Sequence, residues 1–257
     1  MRLFRSEAIV LRHLDYGEAD RIVTFFAPGH GRLRGFARGA RNSRRRFAAS
    51  LEPFAGVILH WATPRSGGLV TLKESELVDL RAGLRTDLPA IALAGYACEL
   101  IEALFAEGEA QDEVYALLKA LLDFLAAAGG SSTARLLFEL RLLNLSGYIP
   151  HLLHCSACFG SLPGPHVSFS ARRGGSLCPD CAGREQGLSL DLLTLGSVSR
   201  LIHAPATAFD GIRLGERTLR EGRELVANTL ECHLCRPLRS QNFLEGILLD
   251  LGAGKGG

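Results

Sequence analysis

The sequence lacks an uninterrupted apolar run long enough to cross a membrane. The longest candidate, residues 91–106, contains Glu99 and Glu102, whereas a membrane-spanning helix needs about 20 predominantly apolar residues. Residues 1–7 carry charged side chains and do not lead into the apolar stretch of a secretory signal. We therefore expect a cytoplasmic protein without membrane contacts, in which the seven cysteines stay reduced.

The sequence also lacks the signatures of common enzyme classes. It contains neither the HExxH of zinc proteases nor the GxSxG of α/β hydrolases. Gly29, Gly31 and Gly35 are spaced GxGxxxG, which does not match the dinucleotide-binding fingerprint. The Gly-Lys-Gly near the C-terminus lacks the Ser or Thr and the helix of a phosphate-binding loop. We expect a binding protein rather than an enzyme.

Acidic residues are absent from a basic stretch near the N-terminus. Residues 21–51 contain eight arginines and no carboxylate, although the net charge of the chain is only +2. Such a run is often a solvated loop, but guanidinium groups suit phosphates and aromatic rings stack on bases. The interleaved aromatics are Phe36 and Phe47, either of which could instead be core; we expect Phe36 to alternate with the arginines only if Gly35 is a bulge. The predicted nucleic-acid contacts are Arg32, Arg34, Arg38, Arg41, Arg44, Arg45 and Arg46.

Two CxxC pairs form the strongest motif that is present. Cys155 and Cys158 are separated by nineteen residues from Cys178 and Cys181, a spacing typical of tetrahedral zinc sites. A zinc ion bound by four thiolates has no open position for water, so its role would be structural. Four free thiols, or a redox CxxC, are the less favoured interpretations, because two identical gaps rarely pair by chance in a turn-rich segment.

Other potential ligands are interpreted as incidental. The nearby histidines, His151, His154 and His166, could replace a thiolate, but four sulfurs already complete the coordination sphere. A third CxxC, Cys232 to Cys235, has no second pair left to complete a site, and helical periodicity makes His233 a packed histidine near a helix end. Cys98 is expected in a helix core.

Short β-rich segments dominate the first eighty residues. Residues rich in β-branched and aromatic side chains are separated by Gly- and Pro-containing turns, which predicts five strands and a small closed barrel. Alternation along one of these segments places Leu33 inside the barrel and Arg32 and Arg34 outside. The predicted strands are residues 8–11, 21–26, 32–37, 54–61 and 68–72.

Helical spacing follows after residue 84. Three helices over residues 88–106, 111–128 and 133–145 are expected to form a bundle, and the third carries a buried leucine stripe from Leu136 to Leu143. A short strand is predicted at 167–170, and further helices from an N-cap at Ser189 to His203 and over 215–235. The fold class is therefore α+β and multidomain. The predicted divisions are a barrel (1–80), a first helical part (81–149), a zinc module (150–187), a second helical part (188–251) and a disordered tail (252–257).

Several segments together resemble the bacterial RecO family of DNA recombination mediators. No single segment is decisive, but their order and spacing along nearly the whole chain are specific. Family members commonly have another residue where this chain has Cys235, which supports treating the third CxxC as incidental. The matching segments are 8–11 (AIVL), 16–21 (YGEADR), 30–33 (HGRL), 37–41 (ARGAR), 47–54 (FAASLEPF), 146–150 (SGYIP), the two CxxC pairs and 232–240 (CHLCRPLRS).

The resemblance implies an N-terminal OB-fold, a helical domain and a zinc module inserted in it. It implies binding and annealing of single- and double-stranded DNA, and cooperation with RecR in loading RecA onto strands coated by the single-strand-binding protein SSB. The SSB C-terminal tail would dock on the helical domain. Arg38 and Arg41, in a matching segment, become the first choices for DNA contacts. One structural zinc ion and a place near the nucleoid follow from the same resemblance.

Two other functions are compatible with the residues alone. A zinc-stabilised RNA-binding or regulatory module would bind RNA in preference to DNA without annealing strands. A metal-dependent hydrolase would need an open coordination position, which four thiolates do not leave.

Overall fold

The computed structural model describes residues 2–43, 45–64, 68–183 and 187–253. Its strands and helices in chain order are β1 (Arg2–Tyr16), β2 (Asp20–Ala27), β3 (Gly31–Ala37), β4 (Gly56–Thr63), β5 (Val70–Asp79), α1 (Leu88–Leu104), α2 (Asp112–Ala128), α3 (Ser132–Leu145), β6 (His166–Ser170), β7 (Gly175–Leu177), α4 (Pro179–Ala182), β8 (Leu188–Asp191), α5 (Leu192–His203), α6 (Glu216–His233) and α7 (Gln241–Ala253). Over these residues, no helix has the length and apolarity that a membrane span requires.

Contacts between residues divide the chain into two units. The first contains residues 1–130 and 238–257, and the second contains residues 131–237. The domain boundaries at residues 80, 149 and 187 stay a prediction, since contact density groups elements without showing which of them fold independently. Residues 254–257 of the predicted disordered tail lie outside the described residues, whereas residues 252 and 253 end α7.

The first five strands close a barrel in the first unit. They pair in the order β1-β2-β3-β5-β4, and β4 also pairs with β1. The contact between β3 and β5 is parallel and the other pairs are antiparallel. This confirms the predicted five-stranded barrel of the OB type, with β1 and β5 longer than the sequence pattern indicated.

Aromatic side chains fill the barrel core. Phe25 in β2 and Trp61 in β4 are fully buried, and Leu33 in β3 packs against this core as predicted. Phe47 lies between β3 and β4 but is also fully buried, so it is core and unavailable for stacking. Each such side chain contributes about 1.5–3 kcal/mol by leaving water.

Carboxylates tie the helices of the first unit together. Asp87 caps α1 by accepting the N–H of Ala90 at 2.6 Å, and the same oxygen accepts the N–H of Gly130, after α2, at 3.2 Å. Glu99 in α1 accepts the N–H of Ser240 at 2.9 Å, at the start of α7. A negative charge there complements the helix dipole, so α7 is held against α1.

The second unit combines three helices with a small sheet. α3, α5 and α6 contact one another, and the sheet has the order β7-β6-β8. The sequence analysis grouped α3 with α1 and α2, whereas the contacts place it in this unit. The predicted cap at Ser189 is wrong because residues 188–191 pair with β6; Asp191 caps α5 by accepting the N–H of Leu193 at 2.8 Å.

Helix α3 is buried over more than the predicted leucine stripe. Every residue from 134 to 143 is buried, including Arg135, Glu139 and Arg141. Nε of Arg135 donates to Oε1 of Glu139 at 2.8 Å, and Arg141 donates to the carbonyl of Ala206 at 3.2 Å. The guanidinium carbon of Arg141 lies 4.9 Å from the ring centroid of Phe209. A buried ion pair, Arg135 with Glu139, and a buried arginine therefore occupy positions that a simple amphipathic pattern treats as exposed.

Candidate metal centre and nucleic-acid surface

The two CxxC pairs come together in the second unit. The Sγ atoms of Cys155, Cys158, Cys178 and Cys181 all lie within 4.8 Å of one another, and those of Cys158 and Cys178 are 3.8 Å apart. None of the four is in a disulfide. The four cysteines could therefore hold one metal ion, and no other such group of ligands occurs among the described residues.

Local hydrogen bonds hold each CxxC pair in a tight turn. In the first turn, the N–H of Cys155 donates to the carbonyl of Gly160 at 3.0 Å, and the N–H of Phe159 donates to the carbonyl of Cys155 at 2.9 Å. In the second, Cys178 precedes α4 and its carbonyl accepts the N–H of Ala182 at 2.8 Å. Each turn thus presents two sulfurs to a common point.

Strand β7 connects the two turns through backbone contacts. The N–H of Ser156 donates to the carbonyl of Ser176, and the N–H of Ser176 donates to the carbonyl of His151, both at 2.8 Å. Gly175, the residue before Ser176, has φ 134°, and a Cβ at this position would lie 2.1 Å from the carbonyl oxygen of His151. Only glycine permits this approach, so Gly175 is required for the two CxxC pairs to meet.

The pKa values of two thiols in the cluster are shifted in opposite directions. Backbone N–H groups of Cys178 and Cys158 hydrogen-bond the Cys155 sulfur and lower the pKa of its thiol to about 6. Hydrogen bonds with the thiols of Cys178 and Cys158 raise the pKa of Cys181 to about 12. Because neighbouring thiolates repel one another, full ionisation of the cluster requires a bound cation.

The nearby histidines stay outside the cluster. In the part of the chain that the structure describes, the group of close ligands contains cysteines alone. The ring of His151 instead meets that of Phe159 edge-on, with 5.7 Å between the ring centroids, and its centroid lies 6.1 Å from that of His154. The interpretation of these histidines as bystanders agrees with this arrangement.

The remaining cysteines are also separate from the centre. Cys232 and Cys235 are exposed free thiols, and neither belongs to the group of close ligands. His233, at the end of α6, is exposed but stacks on Tyr148 with 4.0 Å between ring centroids. Cys98 is buried in α1 as predicted, and burial raises the pKa of its thiol.

Strand β3 directs its arginines and Phe36 to the outer face of the barrel. Its pairing with β2 runs without a register shift, so Arg32, Arg34 and Phe36 alternate with inward-facing residues. The prediction that Phe36 joins this face only through a bulge at Gly35 is wrong. Gly35 faces inward, where Leu72 would lie 2.5 Å from an added Cβ.

Carboxylates from other segments reach two of the predicted arginines. Nε of Arg34 lies 3.0 Å from an oxygen of Glu107, and Nε of Arg41 lies 3.5 Å from Asp15. Arg32 is half-buried, and its Nη2 donates to the carbonyl of Phe105 at 3.4 Å. Although residues 21–51 contain no carboxylate, acidic groups from other segments therefore oppose Arg34 and Arg41, so the absence of acids in the sequence does not leave these two arginines unneutralised.

Three other arginines are more available. Arg38, Arg45 and Arg46 are exposed and form no ion pair within the described ranges. Arg46 donates from Nη2 to the carbonyl of Arg38 at 2.8 Å, and its guanidinium lies 5.2 Å from the ring centroid of Phe47. Arg44, also predicted to contact nucleic acid, lies outside the described residues. Contact between any of these arginines and DNA stays a prediction.

Tyr16, which was not predicted as a functional residue, is a neighbour of this surface. Its ring meets that of Phe36 edge-on, with 5.9 Å between the centroids and an angle of 82° between the planes. The alternation of Arg12, Leu14 and Tyr16 along one strand was the available signal. It did not show which neighbouring strand these side chains would meet.

Comparison with known proteins covers nearly the whole chain. Residues 1–81 match the family model described as "Recombination protein O N terminal", and residues 85–242 match "Recombination protein O C terminal". A DNA repair protein RecO of Syntrophotalea carbinolica is 51% identical over 242 residues, which are 94% of each chain. Proteins of the same name from Geobacter metallireducens and Anaeromyxobacter sp. (strain K) are 38% and 40% identical over 97% and 95% of this chain, and 100% and 97% of their own.

Proposed function

Since the chain belongs to the RecO family of DNA repair proteins, we propose that it mediates recombinational repair by binding DNA through its arginine surface. It binds single- and double-stranded DNA and anneals complementary strands. With RecR, it helps load RecA onto single strands coated by SSB, in the RecFOR pathway. This role requires no catalysis, and the four-sulfur centre leaves no open position for a reacting water.

The observation that carries this proposal is the exposed group Arg38, Arg45 and Arg46, which lacks carboxylate partners within the described residues. Two DNA strands repel each other, and arginines lower this repulsion by neutralising phosphates without occupying the base edges that must pair. An OB-type barrel suits the task because such folds hold single strands by charge and stacking, with little sequence preference. If about six phosphates are neutralised, the logarithm of single-strand affinity falls with the logarithm of salt concentration at a slope near −4.

The metal that the four cysteines hold is proposed to be one zinc ion. With a Zn–S bond of about 2.3 Å, a regular tetrahedron places its sulfurs about 3.8 Å apart. This is the distance between Cys158 and Cys178, and the remaining separations, up to 4.8 Å, need only small side-chain shifts. Zinc would supply the cation that the crowded thiols need and would fasten the two turns together.

The partners follow from membership of the family. We propose that the SSB C-terminal tail docks on the helical region and that RecR binds the protein during RecA loading. The protein would act in the cytoplasm, in association with the nucleoid. These partner contacts are supported by the family resemblance and not by any residue pair in the structure.

The decisive experiment mixes two complementary oligonucleotides, each precoated with SSB, and measures the rate of duplex formation with and without the protein. We expect acceleration that declines as salt rises, because phosphate contacts release counterions. The control is the same protein with Arg38, Arg45 and Arg46 replaced by Ala, which should accelerate annealing much less.

Two results would contradict the proposal. DNA binding without any acceleration would leave a nucleic-acid-binding protein that does not anneal. Tighter binding to RNA than to DNA of equal length, again without annealing, would favour the zinc-stabilised RNA-binding or regulatory module.

A further inference from the structure

An apolar row crosses the outer face of the barrel beside the arginines. The strand register places Leu14 opposite Ile22, Ile22 opposite Phe36, and Phe36 opposite Thr71. The barrel core lies on the other side of the sheet, since Val23, which follows Ile22 along β2 and points the opposite way, is fully buried. The row is therefore surface that the folding of the barrel does not require.

Tyr16 extends this row with an exposed ring, next to the half-buried ring of Phe36. Its side chain is 55% exposed, and Leu14, two residues earlier on the same face, is 57% exposed. Tyr16 and Phe36 meet edge-on at 5.9 Å. In an edge-to-face pair only one ring covers a face of its neighbour, so a ring face is left for a planar ligand. Contiguous exposed apolar surface of this kind marks an interaction site more often than a packing defect.

Hydrogen bonds hold the aromatic pair next to the arginine segment. The guanidinium of Arg41 donates to the carbonyls of Gly17 and Glu18, in the turn that follows Tyr16, at 3.4 and 3.0 Å. Asp20 on the other side of this turn accepts the N–H of Gly39 at 2.7 Å. These hydrogen bonds join the turn after β1 to the segment after β3. The two rings are therefore held in place before a ligand binds, which lowers the entropy cost of binding.

The charges around the rings favour an anionic ligand with flat groups. Arg34 precedes Phe36 by two residues on the same strand face, and Arg38 follows it by two. Two of the nearby carboxylates already have partners: Asp15 forms an ion pair with Arg21 at 3.0 Å, and Asp20 accepts the N–H of Gly39. A phosphate backbone along the arginines would bring its bases over the rings.

We propose that Tyr16 and Phe36 stack against unpaired bases and make this surface selective for single-stranded over double-stranded DNA. The inference rests on the proposed DNA binding and adds the group that distinguishes the two substrates. In a duplex the base faces are stacked on one another, so duplex DNA reaches the arginines but not the rings. A single strand can use both.

The test compares wild type with Tyr16→Ala and Phe36→Ala. Affinities for a single-stranded oligonucleotide and for its duplex are measured at several salt concentrations, and the single strand carries 2-aminopurine, whose fluorescence reports stacking. Each variant should weaken single-strand binding about 5- to 100-fold, the range for removing one aromatic stacking partner. The affinity for the duplex should remain within about 2-fold of wild type. The slope of log affinity against log salt should remain within about 0.5 of wild type.

Two controls separate stacking from loss of structure. Tyr16→Phe keeps the ring and should keep both the affinity and the fluorescence change. Leu3→Ala removes an apolar side chain that is 72% exposed on the part of β1 that pairs with β4, and it should leave both affinities unchanged.

Equal weakening of single-strand and duplex binding by Tyr16→Ala, or no weakening at all, would overturn the inference. Tyr16 ends β1 and is exposed, so this variant decides the matter even if Phe36→Ala unfolds. Failure of wild type to bind any DNA would instead refute the proposed function itself.

Discussion

Replacing Arg38, Arg45 and Arg46 together by Ala should flatten the salt dependence of single-strand binding. These three guanidinium groups are exposed and, among the described residues, lack an acidic partner. Each phosphate contact with a single strand contributes about 0.7 to the slope of log affinity against log salt, so three contacts contribute about 2. Raising salt from about 0.05 to 0.2 M should then weaken the variant about 16-fold less than wild type.

A matched control comes from the arginines that are already paired. Arg34 and Arg41 belong to the same basic stretch but pair with Glu107 and Asp15. A guanidinium that stays paired with its carboxylate neutralises no phosphate and releases no counterion from the DNA, so replacing both by Ala should change the slope by less than about 1. Fluorescence anisotropy with a labelled oligothymidine at four or more salt concentrations measures both slopes.

A wild-type slope in the triple variant would refute the assignment of phosphate contacts to Arg38, Arg45 and Arg46. A larger change in slope on replacing Arg34 and Arg41 than on replacing these three would refute it as well. Melting temperature of each variant is measured alongside. The side chain of Arg46 donates to the backbone carbonyl of Arg38 at an exposed position. Because exposed polar contacts contribute little to stability, we expect both variants to fold.

Three further predictions concern the metal and the helix caps. Cys178→Ser should abolish stoichiometric zinc in native mass spectrometry and sensitise residues 131–237 to proteolysis, whereas Cys232→Ser should do neither. Asp87→Ala should lower the free energy of unfolding in urea by about 1–2 kcal/mol because it removes a helix cap, whereas Asp87→Asn, which keeps an acceptor, should lose much less. The backbone hydrogen bond from the first turn of α5 lowers the pKa of Asp191, so its stabilisation is present above its ordinary pKa, about 4, and is lost as pH falls through the lower folded value. Asp191→Asn should therefore reduce the acid sensitivity of the melting temperature below about pH 4, and an equal effect of Glu231→Gln on the exposed face of α6 would argue against this cause.

Local patterns predicted most of the elements that the structure contains. Runs of β-branched and aromatic residues between turns identified all five barrel strands, and helical spacing identified α1, α2 and α3 within a few residues. The spacing of the two CxxC pairs predicted a four-sulfur centre, which the structure confirms as a cluster able to hold one metal ion. Short strands such as β7 and β8 were missed because three or four residues give too little periodicity to recognise.

Contacts between distant segments were beyond the reach of these patterns. Glu107 pairs with Arg34 across 73 positions, and Glu99 meets the start of α7 across 141. Neither carboxylate has a local signal in the sequence, since a surface glutamate looks the same whether it faces solvent or a partner from a distant segment.

The sequence by itself determined most of the element types, the barrel and the four cysteines of the candidate metal centre, because each depends on composition, periodicity or spacing within a short stretch of chain. The tertiary structure decided which arginines are left without a carboxylate and that Phe36 meets Tyr16 on the same face. Strand register and the packing of distant helices set those neighbours, and both depend on the whole first unit rather than on any one segment.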